Sequence, residues 1–291
     1  MARGLAAILG PDQLTVIVNV GDDERIYGAH VSADLDTVTY TLAGIAGPQG
    51  WGLADDTFTV MDALDALGED TSFRLGDRDL ATCLMRSAAL DAGEPLSSIT
   101  RRIRTTLGIA HRILPATDDW LRTKLRTSEG EWLDFQDYFV IRHHRDEITR
   151  VRYEGEDEAM PAPGVLEAIE AADAVIIAPS NPPLSIHPIL TIPGVVDAVR
   201  SSDRVIAISP LFAGKALKGP ADRIMASLGM PPGTAGVLAA YEGLLTDLVI
   251  DIGDSNDSAT VQSPVTIHAT DTHIIEPAAA TRFARWTLEL L

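Results

Sequence analysis

The chain has 291 residues, 46% hydrophobic and 22% charged, with a formal net charge of −19 and a single cysteine. That length buries a sizeable core in one domain, or in one domain carrying an insertion. The acidic balance argues against wrapping nucleic acid, the lone thiol excludes an intrachain disulfide and suits a reducing compartment such as the cytoplasm, and no apolar run approaches the ~20 residues of a membrane span or forms a signal peptide at the start.

Met1–Gly10 reads as a short helix. Leu14–Asn19 follows as an apolar strand and breaks at Val20-Gly-Asp-Asp-Glu24. Ser32-Ala-Asp-Leu-Asp-Thr37 then precedes a short apolar run, so Asp22, Asp23, Asp34 and Asp36 fall within fifteen positions, all near loops. Clustered carboxylates with hydroxyls and backbone oxygens are what a hard cation such as magnesium needs. The same residue types also serve as turn formers and helix caps.

Helical spacing over Met61–Leu67 stops at Gly68. Leu80–Ala92 and Ser97–Leu107 read the same way, with Cys83 on an apolar, core-facing position. Asp118–Val140 mixes aromatic and aliphatic residues, and alternation over Trp132–Val140 predicts a strand. These aromatics serve either as core or as a stacking surface for a flat ring. Glu154–Pro163 is acidic and proline-containing, which predicts a solvated turn.

From about residue 164 an α/β alternation sets in. A helix over Pro163–Ala172 leads to a buried strand, Asp173–Ile177, and then to Ala178-Pro-Ser-Asn-Pro-Pro-Leu-Ser-Ile-His-Pro188. Prolines lack the N–H and push their neighbours into extended conformations. A stiff, non-helical loop is therefore expected, carrying Ser180, Asn181 and Ser185 at the carboxyl end of a strand, where open α/β sheets bind ligands. His187, between Ile186 and Pro188, reads as structural.

A second strand, Arg204–Ser209, runs into a loop over Pro210–Pro220 and then a helix over Ala221–Leu228. Gly214 and Gly219 permit close backbone approach, and Lys215 and Lys218 bring positive charge, which suits a phosphate or diphosphate. The order is not that of a Walker A loop, and no Gly-x-Gly-x-x-Gly turn supports a dinucleotide-dependent reductase. Leu248–Asp251 is a late strand, Thr270–Thr272 a loop on the same edge, and a last helix spans about 278–291. The predicted fold is α/β and Rossmann-like, a mostly parallel sheet with helices on both faces and a mainly helical insertion. Residues 1–60 and 161–291 would form the nucleotide- or phosphate-binding core, and residues 61–160 the insertion covering the site.

Six segments, in order, resemble the 2-phospho-L-lactate transferase family, which builds the deazaflavin coenzyme F-420. They are Asn19-Val-Gly-Asp-Asp23, Asp34-Leu-Asp-Thr37, Leu75-Gly-Asp-Arg-Asp79, Phe135-Gln-Asp137, Pro179-Ser-Asn-Pro182 with Ser185-Ile-His-Pro188, and Ser209-Pro-Leu-Phe212 with Lys218-Gly-Pro-Ala221. The resemblance covers nearly the whole chain. It implies transfer of a phospho-carboxylic-acid unit from a guanosine diphosphate-linked donor to the ribityl hydroxyl of the deazaflavin Fo, with release of GMP. In archaeal members the acid is 2-phospholactate, and in actinobacterial members phosphoenolpyruvate.

The resemblance implies a cytoplasmic, magnesium-dependent homodimer. Asp23 and Asp36 would be the catalytic and metal-ligating residues. Asp36 and Arg74 would meet Fo, Ser180, Asn181 and Ser185 would bind the guanosine diphosphate part, and Lys218 and Gly219 its phosphate. Asp77 and Arg78 read either as part of the site or as an internal salt bridge. One departure stands out. Family members open with a strand and a turn of roughly Gly-Gly-x-Gly-Gly entering the first helix, whereas Met1–Gly10 reads as that helix alone. The expectation is a chain lacking this anion-binding turn. The alternative to an enzyme is then a truncated relative that holds Fo or guanine nucleotide without turnover.

Overall fold

The fold is described from a computed structural model, for residues 1–217, 219–258, 261 and 263–291. The first half runs through α1 (Ala2–Ala6), β1 (Thr15–Val18), β2 (Glu24–Ile26), β3 (Ala29–Val31), α2 (Ala33–Ala43), α3 (Thr59–Ala66), α4 (Asp77–Asp91) and α5 (Leu96–Thr106). Then come β4 (Arg112–Pro115), β5 (Arg122–Thr127), β6 (Trp132–Asp134), a π-helical turn over Asp137–Ile141 and β7 (Ile148–Glu154). The second half holds α6 (Val165–Glu170), β8 (Val175–Ile177), a second π-helical turn over Pro182–Ile186, α7 (His187–Leu190), α8 (Val195–Arg200) and β9 (Val205–Ile208). It closes with β10 (Leu211–Phe212), β11 (Lys215–Ala216), α9 (Ala221–Ser227), α10 (Gly233–Ala240), β12 (Asp247–Asp251), α11 (Ser255–Ser258), β13 (Thr266–Thr270) and α12 (Pro277–Leu288).

The central sheet is four-stranded and parallel, in the order β13-β12-β9-β8. Every residue of β9 and β12 is buried, because helices cover both faces. That is why Val205–Ile208 and Leu248–Ile250 read as unbroken apolar runs rather than alternating ones. Val205, Ala207, Leu248 and Ile250 pack with α6, α8 and α10 through Val165, Ile169, Val199 and Val237. Ile206, Ile208 and Val249 point the other way and pack with Phe283 of α12. The parallel register brings the carboxyl ends of all four strands to one edge, as the two proline- and glycine-bearing loops require. A second parallel pair, β1 with β4, lies apart from this sheet, and β6-β5-β7 form a small antiparallel sheet.

Three readings are corrected. The Pro179–Pro188 segment is not a plain loop: a helical turn starts at Pro182 and continues into α7. Proline is tolerated in the first turn of a helix, where its missing N–H has no partner anyway. Asp34 and Asp36 lie in the first turn of α2 rather than near a loop, where the helix dipole favours their charge. The Trp132–Val140 strand stops at Asp134, and the stacked rings of Phe135 and Phe139, with centroids 5.5 Å apart, keep a helical four-residue spacing instead. Strands β5 and β7 escape sequence reading because their outward faces are charged, as in Arg122-Thr-Lys-Leu-Arg-Thr127. Cys83 is fully buried, as expected. No helix among the described residues is long and apolar enough to cross a membrane.

Helix α1 packs on α12 through Gly4, where an added Cβ would sit 2.2 Å from the backbone oxygen of Ala280. Gly4→Ala is therefore expected to force the two helices apart and to cost about 1–3 kcal/mol. A urea midpoint unchanged from the parent protein would contradict this close approach.

Candidate active site

The carboxyl edge of the central sheet opens onto a cavity of about 720 Å³. Its wall is assembled from distant parts of the chain: Asp22, Asp34 and Asp36 from the amino-terminal segment, Arg74 and Asp79 from the middle, and Ser180, Asn181, Ser185 and Gly219 from the two sheet-edge loops. Six of the residues expected from sequence, Asp36, Arg74, Ser180, Asn181, Ser185 and Gly219, thus meet at one place. Lys218 lies outside the described residues. Asp23 is buried and does not line this cavity; it lines a second one, beside Glu24 and His30. Lys215 sits exposed on the β10–β11 hairpin and does not line the cavity.

The aspartates are tied together by Asn19. Its Nδ2 donates to Asp22 Oδ1 and to Asp34 Oδ2, each at 3.1 Å. Its Oδ1 accepts the Gly21 N–H at 2.8 Å. Gly21 has no room for a side chain, since a Cβ would fall 2.6 Å from Thr123 Oγ1. The Asp34 N–H donates to Asp22 Oδ2, so the turn after β1 and the start of α2 are held as one unit. Burial, then repulsion from Asp34 and Asp23, pushes the Asp22 carboxyl well above the usual range. Burial likewise pushes Asp34 up to about 6, against the opposing Asn19 bond. Asp36 is raised by burial and held back by the guanidinium of Arg86, which donates from NH2 to Asp36 Oδ1.

Asp23 uses Oδ2 to accept from Ser32 Oγ at 2.8 Å and from His30 Nε2 at 3.0 Å. Asp23 Oδ1 and Asp36 Oδ2 are both buried and have no hydrogen-bond partner. Unpartnered buried carboxylate oxygens within a crowd of like charges are costly. A cation would satisfy them. A tighter grouping of ligand-type atoms, within 4.8 Å of one another, joins Asp36 to Asp79 and Cys83. There the Arg86 guanidinium already contacts Asp36 and Cys83, which disfavours a second positive charge.

The rest of the cavity is less charged. The amide Nδ2 and Oδ1 of Asn181 are buried without a partner, leaving one donor and one acceptor for a ligand. Trp51, Phe73, Phe135, Phe139 and Phe212 line the wall, and Trp51 is 52% exposed. Of the aromatics in Asp118–Val140, Phe135 and Phe139 reach the cavity, while Tyr138 is core. Arg74 also bonds Asp62 at 2.8 Å and lies over the Phe58 ring. His187 is structural, its Nε2–H donating to the Ala240 carbonyl at 2.8 Å. Asp77 makes no pair with Arg78. It caps the start of α3, where the Thr57 hydroxyl and the backbone N–H groups of Val60 and Thr59 hold its carboxyl down to about 2.

Sequence reading placed Asp22 in the aspartate cluster but did not single out Asn19, His30, Asp79 or Arg86 as site residues. For Arg86 a signal existed: Asp79, Cys83 and Arg86 share one face of α4 at spacings of four and three, and a charge on a face that is otherwise core-directed calls for a buried partner.

Glu24 borders a second cavity, of about 600 Å³. Burial, with repulsion from Asp134 and Asp137 and against attraction from Lys124, pushes its carboxyl from 4.5 up to about 7. Between those values the folded state binds a proton that the unfolded chain has released. This contribution to stability is fully present below 4.5 and is lost as pH rises through about 7. The urea midpoint is expected to fall across that window, and Glu24→Gln to flatten the fall; parallel pH profiles for the two proteins would refute the assignment.

A family model described as "2-phospho-L-lactate transferase CofD" matches residues 1–278. The chain is similar to a phosphoenolpyruvate transferase of Kitasatospora aureofaciens, 38% identical over 297 residues, covering 99% of this chain and 92% of the relative. It is also similar to a 2-phospho-L-lactate transferase of Methanopyrus kandleri, 37% identical over 297 residues, covering 100% of this chain and 93% of the relative. Among solved structures, a member of the UPF0052 family from Bacillus halodurans superposes with a TM-score of 0.61 at 17% identity, covering 99% of this chain and 94% of that one, a likeness of fold. The sheet-edge cavity, the aspartate cluster behind it and the match along residues 1–278 converge: the chain belongs to the 2-phospho-L-lactate transferase CofD family.

Proposed function

We propose that this protein transfers a 2-phospholactate or phosphoenolpyruvate unit from a guanosine diphosphate-linked donor to the terminal ribityl hydroxyl of the deazaflavin Fo, in coenzyme F-420 biosynthesis. The observation that carries the reading is the pair of buried, partnerless oxygens, Asp23 Oδ1 and Asp36 Oδ2, with Asp36 on the wall of a cavity that also holds aromatic rings and an unpaired Asn181 amide. The donor set fits magnesium: hard carboxylate oxygens, buried, with charge to spare. Asp23 and Asp36 would hold the ion, which when bound supplies charge stabilisation for the reacting phosphorus and the departing GMP.

The chain's own residues do the rest. The ribityl oxygen forms a bond to phosphorus, the bond from phosphorus to the GMP oxygen breaks, and the hydroxyl proton passes to a carboxylate. Asp34 and Asp79 on the cavity wall, each pushed up to about 6 mainly by burial, come near the range useful for a base at neutral pH. The aromatic wall, with Arg74, suits a flat deazaflavin ring. Ser180, Asn181 and Ser185, with Lys218 and the backbone at Gly219, would take the nucleotide and its phosphates, holding the two reactants in line.

The test is turnover with magnesium, Fo and either guanosine diphosphate-linked lactate or its phosphoenolpyruvate counterpart, followed by mass spectrometry. A phosphodiester-linked deazaflavin plus GMP establishes the transferase, and the product mass names the acid. Binding of Fo without product from either donor would replace this reading by that of a non-catalytic binder.

A further inference from the structure

We infer that Arg86 and His30 are positioning residues that decide which oxygen of Asp36 and of Asp23 is left for a bound divalent cation. The inference rests on the magnesium reading above.

Arg86 lines neither cavity, and its side chain is only 2% exposed. It reaches from α4 to two places at once. NH2 donates to Asp36 Oδ1, and NH1 donates to the backbone carbonyl of His30 at 3.0 Å. On its other side, the His30 N–H donates to Ser87 Oγ at 2.6 Å, and that hydroxyl donates to the Cys83 carbonyl at 2.7 Å. The backbone of His30 is thus strapped to one helix through both of its polar groups. Its ring, so held, donates from Nε2 to Asp23 Oδ2 at 3.0 Å.

One frame therefore occupies one oxygen of each carboxylate, and the other oxygen of each, Asp36 Oδ2 and Asp23 Oδ1, is the buried one without a partner. The two aspartates come from separate segments, the turn after β1 and the first turn of α2. Without the frame, Asp36 could rotate to spend its second oxygen on a local donor, and Asp23 Oδ2 would be held by Ser32 Oγ alone. The frame also needs a guanidinium: a planar fork can serve two acceptors from fixed directions, whereas an ammonium keeps the charge and loses that geometry. Partners behind metal-binding carboxylates act in this way, orienting the ligand atoms without touching the ion.

The test uses the full-length chain and Mn²⁺ as a spectroscopic substitute for magnesium, with free ion followed by electron paramagnetic resonance and folding by thermal melting. Arg86→Lys and His30→Ala are expected to fold and to weaken Mn²⁺ binding by about tenfold or more. His30→Gln, whose amide can still donate to Asp23 Oδ2, should recover most of that loss. A role confined to fold stability would move the melting curve and leave the affinity of the folded protein alone. Affinities for both variants within about twofold of the parent protein would overturn the inference while leaving the magnesium reading standing. Failure of the parent protein to bind Mn²⁺ would overturn the magnesium reading, and this inference with it.

Discussion

Asp36→Asn is expected to lower turnover by at least ~10²-fold while Fo binding stays measurable. Asparagine keeps the size of the side chain and an oxygen that can accept from Arg86. What it removes is the negative charge on the second oxygen, the atom that is buried without a partner at the cavity wall. In the proposed function the ring contacts to the deazaflavin would come from the aromatic wall and Arg74, so affinity for Fo should survive. The measurement is GMP release under saturating substrates alongside Fo fluorescence titration, at a temperature where the variant is folded. A kcat within about threefold of the parent would remove Asp36 from the reaction.

Arg86→Met is expected to produce the largest loss of stability, about 3–5 kcal/mol. Both partners of the Arg86–Asp36 pair are almost fully withdrawn from water, at 2% and 8% side-chain exposure. Burial already pushes the Asp36 carboxyl up, and Arg86 is what holds it back. Removing the guanidinium strands a charge where little water reaches it, and also frees the His30 carbonyl. Replacing both partners with apolar residues removes the stranded charge. The double variant Arg86→Met with Asp36→Leu should therefore be more stable than Arg86→Met alone, although inactive. Urea unfolding of the parent, the two single variants and the double variant closes the cycle. A single-variant loss below about 1 kcal/mol, or losses that simply add, would mean that the pair does not carry the buried charge balance described here.

The parts of the fold that rest on local rules were legible in the chain. Strands β9 and β12 announce themselves as short apolar runs because both of their faces are covered. The ligand loops were legible because proline and glycine punctuate the strand ends, and they do lie on one edge of the parallel sheet. Helices α3, α4 and α5 follow from their spacing. Strands β5 and β7 did not show, since half of their residues face water and are charged, and their pairing joins segments more than twenty residues apart in sequence. The helical turn at Pro182 was hidden by a rule, true for helix interiors, that does not hold at a helix start.

The candidate site divides in the same way. Residue type and motif order marked Asp36, Arg74, Ser180, Asn181, Ser185 and Gly219, and the cavity collects all six. Sequence alone determined the α/β class, the sheet-edge loops and the gathering of carboxylates in the amino-terminal segment, because each depends on neighbours along the chain. Tertiary structure decided which atoms of that cluster are available. Asn19 ties Asp22 to Asp34, while Arg86 and His30 each take one oxygen of Asp36 and Asp23. Desolvation and charge–charge interactions act through space between residues as far apart in sequence as Asp36 and Arg86, so no local pattern in the chain could have set them.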